Sequence, residues 1–362
     1  MGRARFLYDN FIPTGGIVAS SVTAAQLSRA QKEGGGSASM GVTGTPTATE
    51  AQDFLIRIDN IGAGTEIGQA TFAWSLDDGA TVEAAGVATS TGATALGSTG
   101  VSVTFTAGSG ADFDLDDLWR FRVFFLHGIA NLIDRNRDTE WRSASVTSPV
   151  TLTIDLGSAQ APHALVLLDH NLSAASQIVL SMSDDNFTTT VKSDVVTYRA
   201  GKILHYIGAP DRTHRYWRVS LYDPSNTDGY LRISELFLGD YFEPYHSFDL
   251  GDTHRIERRS DRTRTPAGRF YGQLLAMLTE FDLTWTDLSQ SDRDTFETVY
   301  ESLHDTDNHM VKPVLFNSDS DQPGEIYLCE WSGSNDLRSM ENHPGRYRAS
   351  VRLIEDPRTL PS

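Results

Sequence analysis

The stretch from Asn131 to Gly239 constrains the chain most. It is a series of short apolar or alternating runs, each closed by turn residues. Thr-Leu-Thr-Ile-Asp-Leu-Gly-Ser (151–158), Ala-Leu-Val-Leu-Leu-Asp-His-Asn-Leu-Ser (164–173), Arg-Tyr-Trp-Arg-Val-Ser (215–220) and Tyr-Leu-Arg-Ile-Ser-Glu-Leu-Phe-Leu-Gly (230–239) are too brief for helices. Side chains that alternate between core and solvent with period two make half-buried strands. Many such strands between turn signals predict a mainly β chain with a sandwich or barrel.

Composition narrows the function classes. The 362 residues have room for two or three domains, and 39% are apolar, enough for a sizeable core. The formal net charge of −18 argues against nucleic acid and against an anionic membrane, since both attract a basic surface. A single cysteine, Cys329, excludes a disulfide framework within the chain and reads as a small buried hydrophobe on a strand. No stretch has the ~18 apolar residues of a membrane-spanning helix, and the first ten residues lack an apolar signal core. The expectation is a protein made in the cytoplasm, without membrane insertion.

The order of motifs in 131–239 resembles the discoidin-type, galactose-binding-like jelly roll. The residues that carry the likeness are Asp134-x-x-x-Asp138-Thr139-x-Trp141, a strand ending Asp155-Leu156-Gly157, the Tyr216-Trp217-Arg218 strand, and a late acid, Glu235. Residues 6–22 look like the first strands of the same fold. About a hundred residues then intervene before Asn131, which predicts an inserted domain. The expected division is a discontinuous jelly roll over 1–32 and 126–240, with an immunoglobulin-like insert over 33–125. The insert would open with a Gly/Ser/Thr-rich linker (33–49), flexible because such residues have little to bury. Within it, Phe72 and Trp74 alternate with small residues and belong to a core.

The resemblance implies candidate sites. Asp134, Asn136, Asp138, Thr139 and Glu235 would build a structural calcium site, as calcium takes six to eight oxygens. The same oxygens can instead close Asx turns on their own backbone. Arg135 and Arg137 stand in the loop and oppose a cation. Sugar-binding members of the fold use loops at one end of the sandwich. Here these offer His170, Asn171, Tyr198, Arg199, Tyr222 and Asp223 as glycan-binding candidates.

Residues 241–269 hold a dense run of arginines in an acidic chain: Arg255, Arg258, Arg259, Arg262, Arg264 and Arg269. They read as an extended arm that docks on an acidic neighbour through Arg–carboxylate pairs. The first five are the expected assembly interface. Residues 270–362 read as a small α+β assembly domain. Its helix is capped at Ser289 or Ser291, Phe296, Val299, Tyr300 and Leu303 lie on one helical face, and Tyr347–Glu355 is a terminal alternating strand. This order of elements is similar to ring-forming domains of phage distal-tail proteins.

There is no Gly-x-Ser-x-Gly, His-Glu-x-x-His, phosphate loop or Gly-x-Gly-x-x-Gly motif. The sequence therefore points away from an enzyme and names no cofactor beyond the calcium. The resemblances imply a structural part of a virion tail, in the tail tip or baseplate, assembled in the host cytoplasm. Its partners would be copies of itself and other tail proteins. The alternative is a carbohydrate-binding adhesin module for host-surface glycans.

Overall fold

The structure is a computed structural model that describes residues 2–48, 51–210, 212–249, 253–264, 270–305, 310–332, 336–339 and 345–356. The chain is mainly β and divides into two compact units, residues 1–21 with 129–362, and residues 22–128.

In the first unit, an antiparallel sheet runs in the order Lys192–Val195, Gln177–Ser183, His214–Tyr222, Val150–Gln160, Ile17–Ala19. Its alternation matches burial: Val150, Leu152, Ile154 and Leu156 point inward and Thr151, Thr153 and Asp155 do not. A larger sheet begins with Lys202–Tyr206, Ala164–Leu168 and Glu235–Phe242. Every residue of Ala164–Leu168 is buried, so both faces of that strand are covered. Trp141 and Trp217 are fully buried, as expected.

The larger sheet does not stop where the jelly roll was expected to end. It continues through Arg5–Asn10, Val314–Asn317, Ile326–Trp331, Tyr347–Glu355 and Phe270–Leu288 to Thr253–Arg264 at its edge. Arg5–Asn10 is the seam. Phe6 pairs with Phe242 on one side and with Phe316 on the other. The expected separate domain over 270–362 thus shares a sheet with the strand that opens the chain. Leu7 packs with Ala164, Val166, Phe237, Leu315 and Leu328. Phe6 faces the opposite way, among Trp285, Phe296, Phe316 and Trp331. Helix Gln290–Ser302 closes this second core with Phe296 and Val299, and Leu303 follows at its C-cap. Ser289 caps it, accepting from the Asp292 N–H while the Asp292 side chain accepts in return. Cys329 lies fully buried on its strand.

The expected extended arm is also different. Thr253–Arg264 is a strand, paired with Phe270–Leu288 from Thr253↔Asp282 to Arg264↔Phe270 with one register shift between Arg259 and Ser260. Upstream of it, Glu243 is held by Arg3 and Arg5.

The second unit is a small two-sheet sandwich. One sheet is Ser39–Gly44, Val101–Thr106, Thr94–Ala95; the other is built around Leu118–Phe124, Gln52–Asn60, Thr71–Ser75 and Ala84–Ala88. Phe72, Phe105, Phe113 and Trp119 are buried in its core, and Trp74 is nearly so. The stretch 33–49 differs from the flexible linker its composition suggests. Ser39–Gly44 is a strand, in register from Ser39↔Thr106 to Gly44↔Val101. Met40 and Val42 pack on the core, which offsets the ordering entropy of the small residues around them. Gly44, at φ +121, comes so close to Gly100 that a Cβ would lie 2.1 Å from the Gly100 carbonyl oxygen.

Candidate functional site

The loop 131–140 leads from a short 3₁₀ turn (Ile129–Leu132) to the Trp141–Arg142 strand. Its polar residues close the loop on itself. Asp134 accepts from the Asn136 N–H (2.9 Å) and the Thr139 hydroxyl (2.6 Å), and Asn136 accepts from the Asp138 N–H (3.0 Å). Arg135 adopts φ +59 and donates its backbone N–H to Glu235 at 3.0 Å. Glu235 is buried, and burial, reinforced by Asp134, pushes its carboxyl up to about 8. Arg137 is buried too. Its guanidinium grips both oxygens of Asp169 (2.7 and 2.9 Å) and donates to the Asp356 carbonyl (2.8 Å). Calcium would need free, charged oxygens around one point. Here the oxygens are engaged within the loop, and two arginines stand in it. Among the described residues, no group of three or more His, Cys, Asp or Glu side chains is placed to hold a metal ion.

The six glycan candidates gather at the same end of the sheets, but several are spent on the fold. Asn171 donates to Asp228 (2.8 Å) and the Tyr230 carbonyl (2.9 Å) and accepts from the Arg232 N–H (2.8 Å). Asp223 is fully buried and accepts from the Ser173 N–H and hydroxyl. His170 is buried; its Nδ1 accepts from the Leu172 N–H, and burial lowers its pKa to about 4. Its ring meets that of Tyr198 edge-on, centroids 6.0 Å apart. Tyr198, Arg199 and Tyr222 stay half-exposed.

The sequence reading missed the groups these loops present. Trp141–Arg142 pairs with Arg232–Ile233, with Trp141 opposite Ile233 and Arg142 opposite Arg232. Trp141 and Ile233 face the core, so the two arginines stand side by side on the other face. Like charges directly opposite in a sheet repel. One buried carboxylate, Glu140, holds both: 2.5 Å to Arg142 and 3.6 Å to Arg232. Arg142 also lies over the Tyr230 ring, 4.5 Å from its centre. The Arg232 Nε is buried without a hydrogen-bond partner. About a third of each guanidinium side chain reaches solvent, 29% for Arg142 and 32% for Arg232. The cluster is a fixed array of planar N–H donors with one surplus positive charge. Its signal was the alternation of Trp-Arg-Ser and Leu-Arg-Ile, each placing an arginine opposite a core residue.

Of the expected interface arginines, Arg255 is exposed but engaged. It pairs with Glu280 and Asp282 on the next strand, and Arg352 reaches the same two acids from the strand beyond. Arg258, Arg259, Arg262 and Arg264 take their places in the strand register. Their side chains lie outside the described residues.

No protein-family model matches the chain, and no curated protein does. Solved structures similar to it include a chitosan-binding module 1 from the chitosanase/glucanase of Paenibacillus sp. IK-5, at 22% identity. It covers 32% of this chain and 86% of that one, with a TM-score of 0.26. The family 32 carbohydrate-binding module from C. perfringens NanJ, solved with galactose, is 16% identical over 32% of this chain and 86% of that one (TM-score 0.27). The lectin domain of lectinolysin, solved with Lewis B antigen, is 15% identical over 30% and 81% (TM-score 0.25).

Proposed function

We propose that this chain is a non-catalytic glycan-binding module, and that the Arg142–Arg232 pair is its contact surface. The supporting observation is that two guanidiniums are held side by side by one buried acid. Most of their N–H donors are left over, and planar donors suit the vicinal hydroxyls of a sugar. Placing like charges opposite one another is a cost to the fold that a polar ligand would offset. A single site of this kind binds weakly, so useful affinity requires several copies on one surface.

The test is a glycan panel screened with the full chain at millimolar sugar. Saturable binding is expected, weakened about ten-fold or more by Arg142→Ala or Arg232→Ala, as loss of charge-assisted donors implies. Each variant leaves Glu140 one arginine, so the fold survives. His170→Ala is uninformative, because that ring acts inside the fold. Silence across the panel, or binding indifferent to both arginines, removes the proposal.

A second reading, a particle-building subunit such as a tail-tip protein, is favoured by a different observation. The twelve-residue strand Thr253–Arg264 ends the large sheet, with no strand on its outer edge among the described residues, and Ile256 on it is 66% exposed. Such an edge is a template for pairing with another chain. None of the structures named above is a tail protein. On this reading, light scattering and negative-stain images show rings or stacks that Ile256→Lys reduces to monomers. A wild-type monomer at high concentration would exclude self-assembly through this edge.

A further inference from the structure

The two guanidiniums of the Arg142–Arg232 pair are unequally satisfied. Arg142 directs its Nε and Nη2 at one Glu140 oxygen, 2.6 and 2.5 Å away. The Arg232 guanidinium makes no hydrogen bond among the described residues. Its Nη1 lies 3.6 Å from the other Glu140 oxygen, beyond hydrogen-bond range, and its Nε is buried without a partner. Glu140 is the one acid that pairs with either arginine among the described residues. The other acids of these loops are committed elsewhere: Asp169 to Arg137, Asp223 to Ser173 and Asp228 to Asn171. Two cations therefore share a single carboxylate.

The backbone around them is held in place. The Ser143 N–H donates to the Leu231 carbonyl (2.9 Å), and the Leu231 N–H donates to the Ser143 hydroxyl (2.8 Å). Asn171 accepts from the Arg232 N–H, and the Tyr230 ring lies against the Arg142 guanidinium. A ligand that meets groups already ordered loses little to ordering them.

The class of ligand follows from charge. A neutral sugar offers hydroxyl oxygens, which accept from the guanidiniums but leave their mutual repulsion as it was. A carboxylate also answers the second positive charge. It is planar, it matches the guanidinium fork, and its charge-assisted bonds are roughly twice as strong as neutral ones. A phosphate dianion would bring one negative charge more than the pair lacks. We propose, resting on the reading of this pair as a glycan contact, that it selects a carboxylate-bearing sugar, a uronic acid unit, over the neutral counterpart. Arg232 and the unused Nη1 of Arg142 take the carboxylate, and Glu140 remains their internal partner.

The experiment is calorimetry of the full chain with tri-galacturonic acid and, separately, with its fully methyl-esterified form, which keeps the ring hydroxyls and lacks the charge. The acid is expected to bind about ten-fold more tightly than the ester or better, and the preference should shrink as salt is added. Arg232→Ala should abolish the preference, and Arg142→Ala should reduce it. Arg215→Ala should keep it: that arginine, 43% exposed, sits at the end of the His214–Tyr222 strand remote from Asp223, so it controls for general attraction of an anion. An unchanged unfolding midpoint confirms that each variant is folded. An ester bound as tightly as the acid, with both lost in Arg232→Ala, overturns the carboxylate preference and leaves the glycan contact standing. A preference that survives Arg232→Ala places the carboxylate elsewhere and also overturns it. No saturable binding of either trimer, or binding of both that is indifferent to the two arginines, removes the glycan contact as well.

Discussion

Phe6→Ala is expected to destabilise the unit that contains it by about 3–5 kcal/mol, the range for a large ring removed from a packed core. Phe6 is fully buried, and five aromatic rings have centroids within 5.2–6.3 Å of its own: Phe242, Trp285, Phe296, Phe316 and Trp331. Its backbone joins Glu235–Phe242 to Val314–Asn317. A cavity there strips contacts from both halves of the large sheet and from the helix. Denaturant unfolding followed by tryptophan fluorescence checks it, since Trp285 and Trp331 border the missing ring. Val18→Ala, at a position 67% exposed, is the control and should stay within about 0.5 kcal/mol of wild type. A loss below about 1 kcal/mol for Phe6→Ala would mean that the seam does not join the two halves energetically.

That seam is where the sequence was least legible. Strands were readable because alternation is local. Val150–Leu156 and Tyr347–Leu353 show the burial their pattern predicts. The helix was readable because its cap and its apolar face lie within fifteen residues. Pairing partners are not local. Phe6-Leu7 is an apolar pair whatever it faces, and only the register reveals that each residue serves a different core. Ser39–Gly44 looked like linker because its residues are small, and became a strand because Val101–Thr106 offers it a partner. The arginine run at 255–264 looked like an arm because polar residues dominate an edge strand. The loop candidates show the same limit. His170 and Asn171 were chosen as exposed loop residues, but the loops needed their hydrogen-bonding groups. Arg142 and Arg232 were passed over because they become neighbours only through a cross-strand pairing between distant segments.

Stability should fall as pH rises from about 6.5 to 9, and Glu235→Gln should remove most of that fall. The carboxyl of Glu235 is pushed up to about 8 by burial in the folded chain, against an ordinary value of 4.5. Between those two values the unfolded chain has lost a proton that the folded chain keeps. The unfolded state thus binds fewer protons, and the unfolding free energy drops with pH until the folded group also ionises. The full span is on the order of 5 kcal/mol at most, at about 1.4 kcal/mol per pH unit. His170 works in the other direction but lower on the scale. Its folded value of about 4 lies below its ordinary 6.5, so its contribution is lost as pH falls through that window and is constant above it. Above pH 6.5 the difference between the two proteins therefore reports Glu235, since the buried Cys329 thiol, also raised by burial, adds the same decline near pH 9 to both. Glutamine keeps an oxygen to accept the Arg135 N–H and cannot ionise. Urea midpoints at pH 6.5, 7.5 and 9 should decline for the wild type and stay nearly level for the variant, which becomes the more stable protein at pH 9. Parallel curves for the two proteins would show that Glu235 is ionised in the folded state, and that the loop 131–140 accommodates a charge its present hydrogen bonds do not offset.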